Sequence, residues 1–220
     1  MSGYTEVYKQ VMKTEGESLL ALSECIDTEV MDKIVEMLCQ MRKEGGKVII
    51  AGCGTSGAAA KKIAHTLNVV EIPALFCSPA DATHGGLGVV QHRDTVILIS
   101  KGGNTQELVP YIDVCSAKGA KTIAVTENEG SILAKRCDIF LKINAHKEAD
   151  EWGYVATSST LSVISAFDAI AIACIAPNGF TQEKFLLIHP SGAVGEKLAE
   201  KKRDIGCLSQ NHYDSNDKRY

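Results

Sequence analysis

Residues 47–67 read KVIIAGCGTSGAAAKKIAHTL. The run Val48-Ile49-Ile50-Ala51 shows no alternation of apolar and polar positions, the pattern of a strand covered on both faces. Gly52, Gly54 and Gly57 then punctuate a loop, and residues 57–67 carry helical spacing. A strand, a glycine-rich turn and a helix in direct succession form the repeating unit of a parallel α/β sheet.

Further along the chain, the same short apolar runs recur at 74–78 (ALFCS), 95–100 (TVILIS), 121–126 (KTIAVT) and 138–144 (DIFLKIN), which predicts four more strands. Helices are expected over 105–118, near 131–136 and from Ser158 onward. Before the sheet, Val7, Val11, Leu19, Leu22 and Ile26 make one helical stripe, and Val30, Ile34, Val35, Leu38 and Met41 another. Asp27 or Thr28 suits the N-cap between them, and Gly45-Gly46 stops the second helix. The expected fold is therefore α/β, a three-layer αβα sandwich with a mainly parallel five-stranded sheet, preceded by two lead-in helices. Residues 1–46 read as helices packing on the sheet domain, 47–200 as that domain and 201–220 as a polar tail.

The chain has 220 residues, enough for one domain that buries its own core. Its 23 Lys+Arg against 27 Asp+Glu leave no basic surplus for phosphate backbones, so neither nucleic acid nor an anionic membrane is an expected partner. The most apolar stretch, about 16 residues at 161–176, contains Asp168 and is too short and polar to span a bilayer. The first residues, MSGYTEVYKQ, lack the apolar core of an export signal. The eight cysteines stand no closer than 14 positions apart, with no CxxC pair, which suits reduced thiols in a cytoplasmic protein.

Ligands of open parallel sheets collect beyond the carboxyl ends of the strands. Two glycine-rich loops are predicted there, Gly52-Cys53-Gly54-Thr55-Ser56-Gly57 and Ser100-Lys101-Gly102-Gly103-Asn104-Thr105. A third hydroxyl cluster, Thr157-Ser158-Ser159-Thr160, opens the long core helix. Backbone N–H groups beside several hydroxyls at three helix starts suit a phosphate on a small ligand. Taken singly, each start is equally an ordinary N-cap. The first loop also matches G-x-G-x-x-G, but a dinucleotide site wants an acidic residue closing the second strand. Here that strand closes Phe76-Cys77-Ser78-Pro79, with Glu71 too early and Asp81 too late. No His/Cys/Asp cluster has metal-ligand spacing, although His84, His92 and His189 could converge in space. No metal and no organic cofactor are expected.

The two loops, with SPADATHGGLGVV (78–90), KEAD (147–150), ATSST (156–160), FDAIA (167–171) and HPSGAVGEKL (189–198), resemble the sugar isomerase (SIS) domain, and within it the arabinose-5-phosphate isomerase branch. The resemblance covers about residues 47–198, and the stretches around His84-Gly85 and His189-Pro190, with Gly192 and Gly195, are specific to that branch. It implies aldose–ketose isomerisation of a sugar phosphate through an enediol. By the same resemblance Glu148 is the enediol base, His189 opens the sugar ring, Glu107 orients a hydroxyl or shares the proton relay, and His84 lines the site. His84 or His189 would come from a neighbouring subunit of a homo-oligomer, dimer or tetramer. Gly54, Thr55, Ser56, Ser100, Lys101, Gly103, Asn104, Thr105, Thr157, Ser158 and Ser159 are the implied phosphosugar-binding residues. Family members often carry cystathionine-β-synthase-type regulatory domains beyond this point; the sequence closes at Tyr220, so such regulation is not expected.

Three departures from the branch stand out. Thr55 replaces a lysine, the second loop gains Lys101 and drops a hydroxyl, and a proline-rich run gives way to Asp150-Glu151-Trp152-Gly153-Tyr154-Val155-Ala156. Lys101 is a candidate to restore the missing charge from the other side of the pocket. The alternative to an isomerase is a non-catalytic phosphosugar-binding sensor or regulatory subunit on the same fold, which would bind without exchanging the C2 proton. A nicotinamide-dependent enzyme and a zinc hydrolase are weaker readings.

Overall fold

Five strands, Val48–Gly52 (β1), Ala74–Phe76 (β2), Thr95–Ile99 (β3), Lys121–Thr126 (β4) and Ile139–Lys142 (β5), lie in the order β2-β1-β3-β4-β5, and every pairing is parallel. The structure is a computed structural model that describes residues 3–190. The expectations placed on Gly192, Gly195, Cys207 and the tail 201–220 lie outside those residues.

The unbroken apolar runs have the predicted cause. Every residue of β1 and β3 is buried, and alternate side chains feed two separate cores. Val48, Ile50, Ile97, Ile99, Ile123 and Val125 point into one core, shared with helices Thr28–Lys43 (α2), Gly54–Val69 (α3) and Ser158–Ala173 (α7). Ile49, Ala51, Val96, Leu98 and Ala124 point into the other, closed by Val109–Lys118 (α5) and Ile132–Arg136 (α6). Two cores on one sheet make the three layers. At the amino edge, the buried carboxylate of Asp94 accepts from Lys47 N (3.0 Å), Lys47 Nζ (2.7 Å) and Gln91 N (2.8 Å), which ties the entries of β1 and β3 together.

The lead-in helices are Tyr4–Cys25 (α1) and α2, and the Asp27 carboxylate accepts from Val30 N at 3.0 Å as the N-cap between them. The inner face of α1 differs from the apolar stripe expected from sequence. Thr14, Ser18 and Leu22 are buried, while Val7 is 55% exposed. The reason is polar: the Ser18 hydroxyl donates to the Lys147 carbonyl at 3.2 Å, turning the Thr14–Ser18–Leu22 face inward. Asp168 of α7 pairs with Lys62 of α3.

The chain divides into a unit up to Asn178, which holds the sheet and both lead-in helices, and a second from Gly179 onward. In the second, Gln182–Ile188 (here α8) follows Thr181, whose Oγ1 accepts from Lys184 N at 3.4 Å. The short helix Pro79–Ala82 (α4) completes the described helices.

The first loop is closed backbone against backbone. A Cβ on Gly57 would lie 2.6 Å from the Gly52 carbonyl oxygen, and one on Gly52 would lie 2.8 Å from the Ser56 carbonyl. Neither partner is a side chain that could turn aside. Gly57→Ala is expected to lose about 2–4 kcal/mol of stability, lowering Tm by about 5–15 °C in calorimetry. A Tm unchanged within a degree would show that the loop yields.

Candidate active site

Strand order 2-1-3 creates a topological switch point. The helix after β1 (α3) packs in one core and the helix after β3 (α5) in the other, so the two loops part at the carboxyl edge of the sheet. A cleft of about 450 Å³ opens there, including the solvent at its mouth. Thr55 and Ser56 enter it from the first loop, Lys101 from the second, Thr126 and Glu127 from the end of β4, and Ser159 and Thr160 from the start of α7. Ile99, Val125, Ile143 and Val163 give it an apolar floor.

Beside this cleft lies Glu148, only 5% exposed. Its Oε2 accepts from Thr157 N (2.9 Å), Thr157 Oγ1 (3.3 Å) and Ser159 N (3.3 Å) at the amino end of α7. Its Oε1 accepts from Lys101 Nζ at 2.9 Å. Burial pushes the carboxyl up, but the Ser159 hydroxyl, the Lys101 ammonium and the backbone N–H groups of Ser159 and Thr157 outweigh it and bring it down to about 2. The same hydrogen bond raises Lys101 against its own desolvation, so the pair is a full ion pair at neutral pH.

The other predicted residues fall into distinct surroundings. Ser100 and Thr105 bond each other through their hydroxyls at 2.7 Å, and Ser100 Oγ also accepts from Gly103 N at 3.0 Å, so these hydroxyls shape the second loop from within. Gly103 has φ +67°, and a Cβ there would meet Ser131 Oγ at 2.2 Å. Asn104 Oδ1 accepts from Ile132 N at 2.9 Å, holding the start of α6. Gly54, with φ +56°, begins α3. Ser158 is wholly buried, and its hydroxyl has no hydrogen-bond partner among the described residues. Glu107 sits exposed in a 3₁₀ turn, Gln106–Leu108; after burial, its charge is the second cause raising the Cys53 thiol. His84 is exposed just after α4. His189 belongs to the second unit, where its ring stacks on Phe185 with centroids 4.2 Å apart.

The structure thus gathers Thr55, Ser56, Lys101, Glu148, Thr157 and Ser159 at one place. Three contributors were missed from sequence. Thr126 donates to the Lys101 carbonyl at 2.8 Å and bounds the cleft with Glu127; the carboxyl-edge rule, applied to the fourth strand, would have found both. Asp150 accepts from Trp152 N (3.1 Å), Tyr154 N (3.1 Å) and Val155 N (2.9 Å), ordering the segment between Glu148 and α7. Its sequence signals were its place at the end of the KEAD stretch and an Asp heading a turn.

Residues 40–173 match the family model of the SIS domain. The chain belongs to the SIS domain family. It is 36% identical over 202 residues to the arabinose 5-phosphate isomerase of Yersinia pestis, covering 92% of this chain and 60% of that one. With the enzyme of the same name from Escherichia coli K12 it shares 34% over 203 residues, again 92% and 60%. This SIS chain therefore spans about 60% of the length of those curated relatives. Among solved structures, a candidate sugar-phosphate isomerase from Listeria monocytogenes is 42% identical with a TM-score of 0.83, covering 87% of this chain and all (100%) of that one. A protein of Escherichia coli CFT073 in complex with arabinose 5-phosphate is 31% identical with a TM-score of 0.78, covering 86% and 100%. No helix among the described residues is long and apolar enough to cross a membrane.

Because the Glu148 carboxyl drops from its ordinary 4.5 to about 2 on folding, its contribution to stability is complete above pH 4.5 and is lost as the pH falls toward 2. Glu148→Gln is expected to lose about 2–3 kcal/mol at pH 7. The wild-type advantage should shrink by about 2 kcal/mol between pH 7 and pH 3. Urea unfolding of both proteins across that range checks this; a pH-independent gap would contradict it.

Proposed function

We propose that this chain is a phosphosugar isomerase of the arabinose-5-phosphate type, with Glu148 as its base. The observation that carries the reading is the ionised, almost fully buried Glu148 carboxylate held beside a hydroxyl-lined cleft by one lysine and the start of a helix. A carboxylate fixed in this way, within reach of a small ligand, is what proton transfer at carbon requires. The curated relatives named as arabinose 5-phosphate isomerases support the same chemistry.

In the proposed reaction the sugar ring opens with His189 as acid/base, giving the free C1 aldehyde. Glu148 takes the C2 proton; the C–H electron pair forms the C1–C2 double bond, and O1 takes a proton to complete the enediol. O2–H then gives up its proton as the C2 carbonyl forms, and Glu148 returns a proton to C1. Atoms and electrons balance without an oxidant, and proton transfers by side chains suffice. Glu107 is assigned to hold a hydroxyl, His84 to line the site, and Ser56 with the second loop to receive the phosphate. We assign the cation of the site to Lys101, since the first loop carries Thr55 where the branch has lysine.

The chain is proposed to work as a homo-oligomer in the cytoplasm. Tyr4, Tyr8, Met12 and Leu20, all 60–70% exposed on α1, support self-association, and the seven cysteines among the described residues, all free, fit a reducing compartment. Sedimentation at micromolar concentration is expected to give a dimer or larger; a monomer's mass would contradict it.

Proton NMR in D2O with arabinose 5-phosphate and a panel of pentose and hexose phosphates tests the chemistry. Wild type is expected to introduce deuterium at the proton-transfer carbons, and Glu148→Gln to slow this by about 10²–10⁴-fold. Line broadening of a sugar phosphate with no deuterium uptake would favour a phosphosugar-binding sensor, and silence across the panel would overturn the ligand class.

A further inference from the structure

The two oxygens of the Glu148 carboxylate are held by different parts of the fold. Oε2 is bound by Thr157 N, Thr157 Oγ1 and Ser159 N, all belonging to the start of a sixteen-residue helix packed in the core. Oε1 is bound by Lys101 Nζ, on a flexible stem from the second glycine-rich loop. The Glu148 side chain is 4% exposed and that of Lys101 46%, so the ammonium forms the solvent side of the pair and itself lines the cleft. One oxygen is thus anchored, and the other is capped by a group that can leave.

An ammonium has three donors, of which Glu148 takes one. Glu127 and Asp150 also bear on Lys101 through space, without being hydrogen-bonded to it. A phosphate group carries about −1.5 to −2 charge near neutral pH, more than one carboxylate. Placed in the cleft that Lys101 lines, it competes with Glu148 for the same cation.

We infer that Lys101 is a positioning residue shared between Glu148 and the phosphate of the ligand: a phosphate in the cleft draws the ammonium from Oε1, uncapping that oxygen toward the cleft while the α7 amides keep Oε2 in place. The inference rests on the phosphosugar reading of the cleft. It makes the strength of the base depend on the ligand's phosphate. Capped, the carboxylate is a poor proton acceptor; uncapped, it recovers basicity where a sugar carbon would stand. A sugar without phosphate meets only the capped form.

Inorganic phosphate is the probe, followed by ³¹P NMR titration near neutral pH on wild type, Glu148→Gln and Lys101→Met, with near-ultraviolet circular dichroism verifying that each is folded. Removing the competing carboxylate should tighten phosphate binding about tenfold in Glu148→Gln, and removing the cation should weaken it about tenfold in Lys101→Met. In wild type labelled with [¹⁵N]lysine and [¹³C]glutamate, the Lys101 Nζ and Glu148 carboxyl signals should move together along the phosphate isotherm, which a merely structural ion pair would not do. Affinities within twofold across all three proteins, or a phosphate isotherm that leaves both signals still, would overturn the shared-lysine inference and leave the phosphosugar reading intact. Failure of all three proteins to bind phosphate would overturn both.

Discussion

A carboxylate taken almost wholly out of water must be paired and hydrogen-bonded, or it will take up a proton or destabilise the fold. Glu148 is such a group, and much of the carboxyl-edge architecture meets its demand. Two backbone N–H groups from the start of α7, the Thr157 hydroxyl and the Lys101 ammonium converge on it. Those partners come from sequence positions 9, 11 and 47 residues away. The charge is therefore satisfied only when the second loop, the 147–157 segment and α7 are all in place.

The sheet makes that convergence possible. Parallel strands present all their carboxyl ends at one edge, and the reversal between β1 and β3 sends α3 and α5 to opposite faces. Backbone-tight packing at Gly52 and Gly57 draws the start of α3 onto β1. Gly103, in a left-handed conformation against Ser131, lets the second loop fold beneath its own hydroxyls. Glycine at these points sets Thr55, Ser56 and Lys101 around one space.

Much of this was legible in the residues. Strands covered on both faces announce themselves as unbroken apolar runs, and β1, β3 and β4 were legible in this way because they are buried along nearly their whole length. The buried face of α1 was not legible, because a serine hydroxyl bonding a carbonyl 129 residues away decided it. The pairing of Lys62 with Asp168 was not legible either, because it depends on α3 and α7 lying side by side. Asn104 sat in a ligand-like loop by sequence, yet its side chain holds the start of α6, a use visible only when residue 132 is brought beside it.

The order of residues was enough for the α/β class, the parallel strands, the two lead-in helices with the Asp27 cap between them and the glycine-rich loops that stand at the carboxyl edge. Each of these follows from periodicity or from a backbone conformation that few residues permit, both local properties. It took the folded chain to bring Lys101 to Glu148, to anchor Oε2 while Oε1 is capped, and to bond Ser100 to Thr105. Hydrogen bonds and ion pairs act over about 3 Å, and which groups come that close depends on how the strands are ordered in the sheet, a property that no local stretch of residues contains.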